Sequence, residues 1–388
     1  MAEPLRVRFS PDIFRVQAHG GVSRYITELH RGLLAAGADS QILAGLHANA
    51  HLRDLPATVG LDVSRLRPLP ARQALTKLAD RALERAWARR QDGGTIYHKT
   101  AVDRRVPAGP RLAVTVYDMI HERYPEQFGR RDVTPASKRP WCEAADVVFA
   151  ISATTRDDLL DRFDLPPEKV VVTHLGVTVV EPRPGDVAFP GQPTVLYVGD
   201  RAAPYKNWPR LLDAVAALGP DTRLACFGRP ASVADEQAVA DRGLTGRVRF
   251  VGGDDHDLAR CYRSASVLVY PSLFEGFGLP PLEAMAHGCP VVAARAGAIP
   301  EVVGDAAELF EPTDVDDLAG ALARVLAGGE PVDRLRQAGR AQAARYSWDH
   351  TVRATIAGYA SVRTKDLSRR STAAASSASS GPNAHTSK

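Results

Sequence analysis

Two doubly wound α/β domains facing a central cleft are what this 388-residue chain predicts, and three observations carry the prediction. The length is more than twice the roughly 150 residues of an average domain. Apolar, strand-like runs alternate with helical patterns in both halves, the rhythm of parallel sheets covered by helices. A proline-rich stretch, Glu181-Pro182-Arg183-Pro184-Gly185, interrupts the alternation, which then restarts at Thr194. The predicted organisation is therefore a domain at 1–180, a linker at 181–193 and a domain at 194–345.

The first domain opens with a strand at Leu5–Phe9. Gly20-Gly21 then precedes a helix predicted over Val22–Ala36, in which Tyr25, Ile26, Leu29, Leu33 and Leu34 recur at helical spacing. Further strands are predicted at Ser40–Ala44, Thr95–His98, Leu112–Tyr117, Val147–Ser152 and Val170–Thr173. The second domain begins with Thr194–Gly199. It continues through Leu224–Gly228, Val248–Val251, Val267–Tyr270 and Val291–Ala294, each followed by a helical pattern. Residues 346–362 form a last helix, expected to pack back towards the N-terminal domain. From Arg363 the composition collapses to Ser, Ala and Thr, so 363–388 is expected to be a disordered tail.

Composition narrows the function classes. With 45% hydrophobic and 24% charged residues, the chain is neither collagen-like nor a disulfide framework. Its four cysteines, Cys142, Cys226, Cys261 and Cys289, include no CxxC pair, which argues against a zinc site. No apolar run approaches the roughly 18 residues of a membrane helix. The opening residues carry no secretory apolar region, so a cytoplasmic location is expected. Charge is uneven: residues 1–180 carry 26 Lys+Arg against 21 Asp+Glu, whereas 181–362 carry 18 against 23. The basic excess thus lies N-terminally, where an anionic surface or a phosphate-bearing ligand would meet it. Residues 71–91 add a basic amphipathic stretch, with Arg72, Lys77, Arg81, Arg85, Arg89 and Arg90 beside Leu75, Leu78, Leu83 and Trp87. That pattern fits either a core-facing surface helix or peripheral contact with the inner face of an anionic membrane.

The most informative segment runs from Tyr270 to Gly288. A strand ends near Tyr270, a loop with Gly276 and Gly278 follows, and Pro280 or Pro281 opens a helix that stops at Gly288. Glycines ahead of a helix N-terminus leave backbone N–H groups beside the positive end of the dipole, a site for anions or polyhydroxyl ligands. Glu275 and Glu283 place two carboxylates near it, each able to accept two sugar hydroxyls. Their spacing matches the E-x7-E signature of retaining glycosyltransferases of family 4, which have the GT-B architecture of two facing Rossmann-like domains. Three more segments resemble that family in order. They are Asp12-Ile13-Phe14 with Gln17 and Gly20-Gly21-Val22-Ser23-Arg24-Tyr25, then Tyr197 to Arg201 with Tyr205-Lys206-Asn207, and last Ala296 to Asp305. The N-terminal piece is similar to members that add mannose or rhamnose to bacterial surface polysaccharides.

The resemblance implies a reaction and a set of roles. Breaking the bond from an anomeric carbon to a diphosphate puts negative charge on the leaving group, so fixed cations are needed there. Arg201 and Lys206, just past a strand end, are the expected diphosphate clamp. Glu275 is expected to hold hydroxyls of the hexose, backbone groups of Gly276, Phe277, Gly278 and Leu279 the sugar and phosphate, and Glu283 the ribose. Gly20-Gly21 would approach from the opposite side, and the base would lie near Gly228, Arg229 and the Val251–Leu258 loop. On the acceptor side His98 matches a pocket position or is a histidine satisfied at a strand end. Tyr117 replaces a histidine common in the family; Asp118 remains to orient a hydroxyl, His121 stands in a position to fill lost volume, and Ser152 could add a hydrogen bond. Asp254-Asp255-His256-Asp257 is read as an acidic loop preceding a helix that starts near Leu258, with Asp255 or Asp257 as its N-cap, and no metal and no cofactor are expected.

The expected partners are a nucleotide-sugar, favoured as a GDP-sugar with a UDP- or dTDP-sugar as alternative, and a glycan or lipid-linked acceptor, with no nucleic acid. A sugar-nucleotide epimerase, a phosphorolytic enzyme of the same architecture, or a non-catalytic nucleotide-sugar-binding protein are the competing readings.

Overall fold

The computed structural model describes residues 4–53, 55–62, 94–101, 106, 111–129, 132 and 134–362. The basic stretch at 71–91 and the tail at 363–388 lie outside the described residues. Seven parallel strands form the N-terminal sheet: β1 Arg6–Phe9, β2 Asp39–His47, β3 Thr58–Asp62, β4 Thr95–Lys99, β5 Arg111–Val116, β6 Val147–Ala150 and β7 Val170–Val172. They are ordered β3-β2-β1-β4-β5-β6-β7. Six parallel strands form the C-terminal sheet: β8 Thr194–Val198, β9 Arg223–Phe227, β10 Val248–Val251, β11 Val267–Tyr270, β12 Val291–Ala294 and β13 Glu308–Phe310. Their order is β10-β9-β8-β11-β12-β13. Both are the doubly wound sheets that the alternating pattern predicts.

Two strands escape the sequence reading, and both are edges. β3 is mostly exposed, so its sequence Thr58-Val59-Gly60-Leu61-Asp62 lacks the apolar run of a buried parallel strand. β13 has only three residues. The central strands behave otherwise: β4, β6, β11 and β12 are buried along their whole length, as sheets covered on both faces require.

The order of each sheet reverses once, between β1 and β4 and between β8 and β11. Loops leaving two strands that diverge at such a point open a crevice at their carboxyl ends. Lys206 follows β8 and Glu275 follows β11, so topology alone brings these distant segments together. Helix Gly21–Ala35 follows β1 and buries Tyr25, Ile26, Leu29 and Leu33 completely.

Helix 348–362 returns to the N-terminal sheet. Its Tyr359 packs edge-on against Phe149, with ring centroids 5.3 Å apart. Gly32 makes room for Val352, since a Cβ at that glycine would lie 2.2 Å from the valine side chain. Trp348 donates from Nε1 to Thr178 Oγ1 at 2.8 Å. No helix among the described residues is long and apolar enough to cross a membrane.

Candidate active site

The two sheets present their carboxyl ends to a cleft of about 860 Å³. Its C-terminal wall centres on an ion pair. Lys206 Nζ lies 2.6 Å from Glu275 Oε1, with each side chain 14% exposed. Burial works against the Lys206 charge, and the neighbouring Glu275 carboxylate overcomes it, so the lysine pKa stands above its ordinary value. The ammonium also lies over the rings of Tyr205 and Tyr270, at 5.2 and 5.4 Å. Lys206 is held by a short 3-10 turn, Pro204–Lys206, that ends at Asn207 with φ +60°. Asn207 tolerates that backbone and ties the turn down by donating to Pro271 O and Pro312 O.

Beyond Glu275, helix Leu279–Ala286 opens with no side-chain cap. Pro280 and Pro281 have no N–H, so Gly278 and Leu279 supply the backbone donors that its first turn can offer to an anion. Gly276 is required sterically: a Cβ there would lie 1.8 Å from Tyr117 O of the N-terminal domain.

Each carboxylate oxygen of Glu283 accepts one side-chain hydrogen bond within the chain. Arg24 Nη1 donates to its Oε1 at 2.8 Å and the Tyr262 hydroxyl to its Oε2 at 2.9 Å. Arg24 also pairs with Asp255 at 2.5 Å. Burial raises the Glu283 pKa above the usual carboxylate range, and Arg24 restrains the rise. Burial likewise opposes the Arg24 charge, but Glu283 and Asp255 together raise its pKa. Arg24 stands on helix Gly21–Ala35, so this pair spans the cleft. Gly20 and Gly21 line the same wall, where the Gln17 side chain accepts from Ser23 N.

The end of the cleft beside β9 and β10 is lined by Gly228, Arg229, Asp254, Asp255 and Leu258. Gly228 has φ +144°, a conformation that favours glycine. Arg229 reaches Asp200 at 3.2 Å and Asp235 at 3.0 Å. Asp254, rather than Asp255 or Asp257, is the N-cap of helix Asp255–Ser264, and Asp257 completes a capping box. That helix starts three residues before the predicted Leu258, which turns Asp255 towards Arg24.

The structure separates the other predicted residues. Arg201 is not part of the cleft wall: its side chain is fully buried. It lies over the Phe250 ring and donates to Arg229 O and Pro230 O at 2.6 and 3.1 Å. It faces the loop that carries Arg229 because Asp235 lies on that side.

His98 is also outside the cleft and 0% exposed. It lies within β4 rather than beyond it, and Thr115 Oγ1 and the Tyr359 hydroxyl satisfy its ring nitrogens. Burial pushes its pKa down to about 3. The satisfied-histidine alternative is the one the packing selects. His121 pairs with Asp132 at 2.7 Å and stacks on Phe128, so it does not fill the place of the histidine that Tyr117 replaces. Tyr117 and Asp118 do line the cleft. Tyr117 donates to Thr100 O, and Asp118 Oδ1 accepts from Ile120 N. Ser152 caps helix Ala153–Phe163 by accepting from Thr155 N.

The pairing of Arg24 with Asp255 and Glu283, and of Glu283 with Tyr262, was not predicted. The Gly-Gly-Val-Ser-Arg-Tyr motif contains Arg24, but its partner lies 259 positions away, so only the fold reveals the pair.

Comparison with known proteins follows this division. Residues 19–181 match the family model described as Glycosyltransferase Family 4, and residues 183–342 match Glycosyl transferases group 1. The chain is 29% identical over 370 residues to O-antigen chain mannosyltransferase B of Escherichia coli, covering 87% of this chain and 95% of that protein. It is 36% identical over 227 residues to the MMP alpha-(1->4)-mannosyltransferase of Mycolicibacterium hassiacum, a match spanning only 53% of that relative. Among solved structures, sucrose-phosphate synthase from Thermosynechococcus elongatus superposes with a TM-score of 0.70 at 23% identity, covering 96% of this chain and all of that one. WaaG, a glycosyltransferase involved in lipopolysaccharide biosynthesis, gives 0.68 at 16%, covering 91% and 98%. One model falls on each sheet, the shared fold spans nearly the whole chain, and the protein belongs to the family 4 type of GT-B glycosyltransferases.

Proposed function

We propose that this protein is a retaining, metal-independent glycosyltransferase that moves a hexose, favoured as mannose or rhamnose from a GDP-sugar, onto a glycan or lipid-linked acceptor of a cell-surface polysaccharide. The observation that carries the reading is the Lys206–Glu275 pair at the β8/β11 crevice, facing the glycine-led helix of the other domain across the cleft. The mannosyl and O-antigen descriptions of the two relatives above support the sugar and the setting.

In this reading the leaving diphosphate lies against Lys206 and the N–H groups of Gly278 and Leu279, where fixed positive charge stabilises what develops in the transition state. Glu275 accepts hydroxyls of the hexose, and Glu283 those of the ribose. Arg201 moves from clamp to support, since it holds the loop bearing Arg229 at the nucleotide end. The acceptor oxygen bonds to the anomeric carbon on the face that the diphosphate leaves. As the carbon–oxygen bond to phosphate breaks, a phosphate oxygen takes the acceptor's proton. Asp118, with Oδ1 occupied by Ile120 N, orients the acceptor hydroxyl and forms no covalent intermediate.

The test is turnover of GDP-mannose, GDP-rhamnose, UDP-glucose and dTDP-rhamnose with and without magnesium, following the anomeric configuration of the product. Release of GDP with retention, unchanged by chelation, is the expected result. Nucleotide binding retained with no turnover of any donor would favour the non-catalytic reading.

A further inference from the structure

The segment Ala296–Asp305 has no part in the donor chemistry above, yet it touches both halves of the molecule. Glu301 lies on helix Ile299–Val303 of the C-terminal domain, and its carboxylate is committed to the N-terminal one. Oε1 accepts from Ala153 N and from His174 Nε2, both at 2.8 Å. Oε2 accepts from Thr154 N at 3.0 Å and Thr154 Oγ1 at 3.1 Å. Ala153 and Thr154 begin helix Ala153–Phe163, whose first N–H groups have no intrahelical partner. A carboxylate from the facing domain therefore caps the positive end of that helix, alongside Ser152. Burial works against the Glu301 charge, and His174 with the two N–H groups overcomes it, drawing the carboxyl down to about 2.

The other side of Glu301 leads to the donor loop. Ala298 N donates to Glu275 O at 2.9 Å. Gly297, at φ +55°, packs so close that a Cβ would lie 2.5 Å from the same oxygen. Thr155 Oγ1 donates to Gly276 O at 3.4 Å. The helix start, Glu301 and the backbone of Glu275 thus form one connected path.

We infer that Glu301 is an interdomain clasp, a positioning residue whose carboxylate ties the start of helix Ala153–Phe163 to the loop carrying Glu275 and so fixes the closed cleft in which transfer occurs. The inference rests on the transferase reading. Lys206, Glu283 and the N–H groups of Gly278 and Leu279, which hold the nucleotide in that reading, make no hydrogen bond to Glu301, so its loss falls on turnover and on domain closure.

Glu301→Gln keeps the volume but turns an amide nitrogen towards N–H donors. The full chain is measured for GDP and UDP affinity by calorimetry, for turnover of GDP-mannose and UDP-glucose, and for radius of gyration by small-angle X-ray scattering. Affinity is expected to stay within about twofold and turnover to fall about tenfold or more, the effect of losing one charged hydrogen bond. The radius is expected to rise. His174→Ala removes one bond from the opposite domain, and its effect is expected to be non-additive with Glu301→Gln. Wild-type turnover and radius in both variants would overturn the clasp alone. Equal losses of affinity and turnover would also overturn it, placing Glu301 in the folding of the C-terminal domain. If the wild-type chain binds neither nucleotide, the donor reading fails and takes the clasp with it.

Discussion

The two walls of the cleft differ in how they are built. On the C-terminal side, Lys206, Glu275 and Gly276–Leu279 lie on loops leaving the two strands at the switch point, and their side chains or backbone reach the cleft directly. On the N-terminal side, Tyr117 and Asp118 line the cleft, but the two predicted histidines do not: His98 is sealed under helix 348–362, and His121 pairs with its own loop. The C-terminal wall is chemistry placed by local sequence, whereas the N-terminal wall gathers Gln17, Arg24, Tyr117 and Asp118 from separate segments around Gly20 and Gly21. In a transfer reaction the first wall would govern the donor bond and the second the approach of the acceptor.

The sharpest way to break this contrast is at the ion pair. Lys206→Ala and Glu275→Gln should each lower turnover about 10²–10³-fold, the usual loss when a group stabilising developing charge is removed. Donor turnover measured on folded protein checks it. Gly276→Ala comes next. Its Cβ would press on Tyr117 O, so the domains must shift, and a displacement near 1 Å costs about 10²-fold in rate.

Arg24→Met has a smaller effect with a definite pH signature. Burial raises the Glu283 pKa and Arg24 restrains it, so removing the arginine raises it further. Glu283 accepts hydroxyls best when ionised. Nucleotide affinity of the variant should therefore improve with rising pH, with its midpoint at a higher pH than in the wild type. Calorimetric titration across a pH series reads the difference.

His98→Ala should affect stability rather than chemistry. It strands the Tyr359 hydroxyl in the core and leaves Thr115 with Tyr25 as its side-chain partner, at a cost of about 1–3 kcal/mol, and leaves KM unchanged. Thermal melting together with steady-state kinetics separates the two. His121→Ala should be the least consequential of all, because the described partners of its ring are Asp132 and Phe128, near the surface.

The same contrast explains what could be read from the sequence. Both doubly wound sheets were legible because buried parallel strands are continuous apolar runs; β3 and β13 were not, being an exposed edge and a three-residue edge. Glu275 and Glu283 were legible because a short glycine–proline loop fixes their spacing within one segment. Arg201 misled, since a strand-end arginine can turn either way, and Asp235, 34 residues on, decides that it turns inward. Arg24 stood in the quoted motif without a role, because its carboxylate partners belong to the other domain.

The most direct test of the central claim, that this cleft holds a nucleotide-sugar by its diphosphate, is a thermal melt with GDP, UDP and dTDP for the wild type, Lys206→Ala and His121→Ala. A ligand that binds only the folded state raises the melting temperature by mass action. The account predicts a rise with GDP that needs no magnesium, survives in His121→Ala and disappears in Lys206→Ala. A melt that no nucleotide moves, or an unchanged GDP shift in Lys206→Ala, would contradict it.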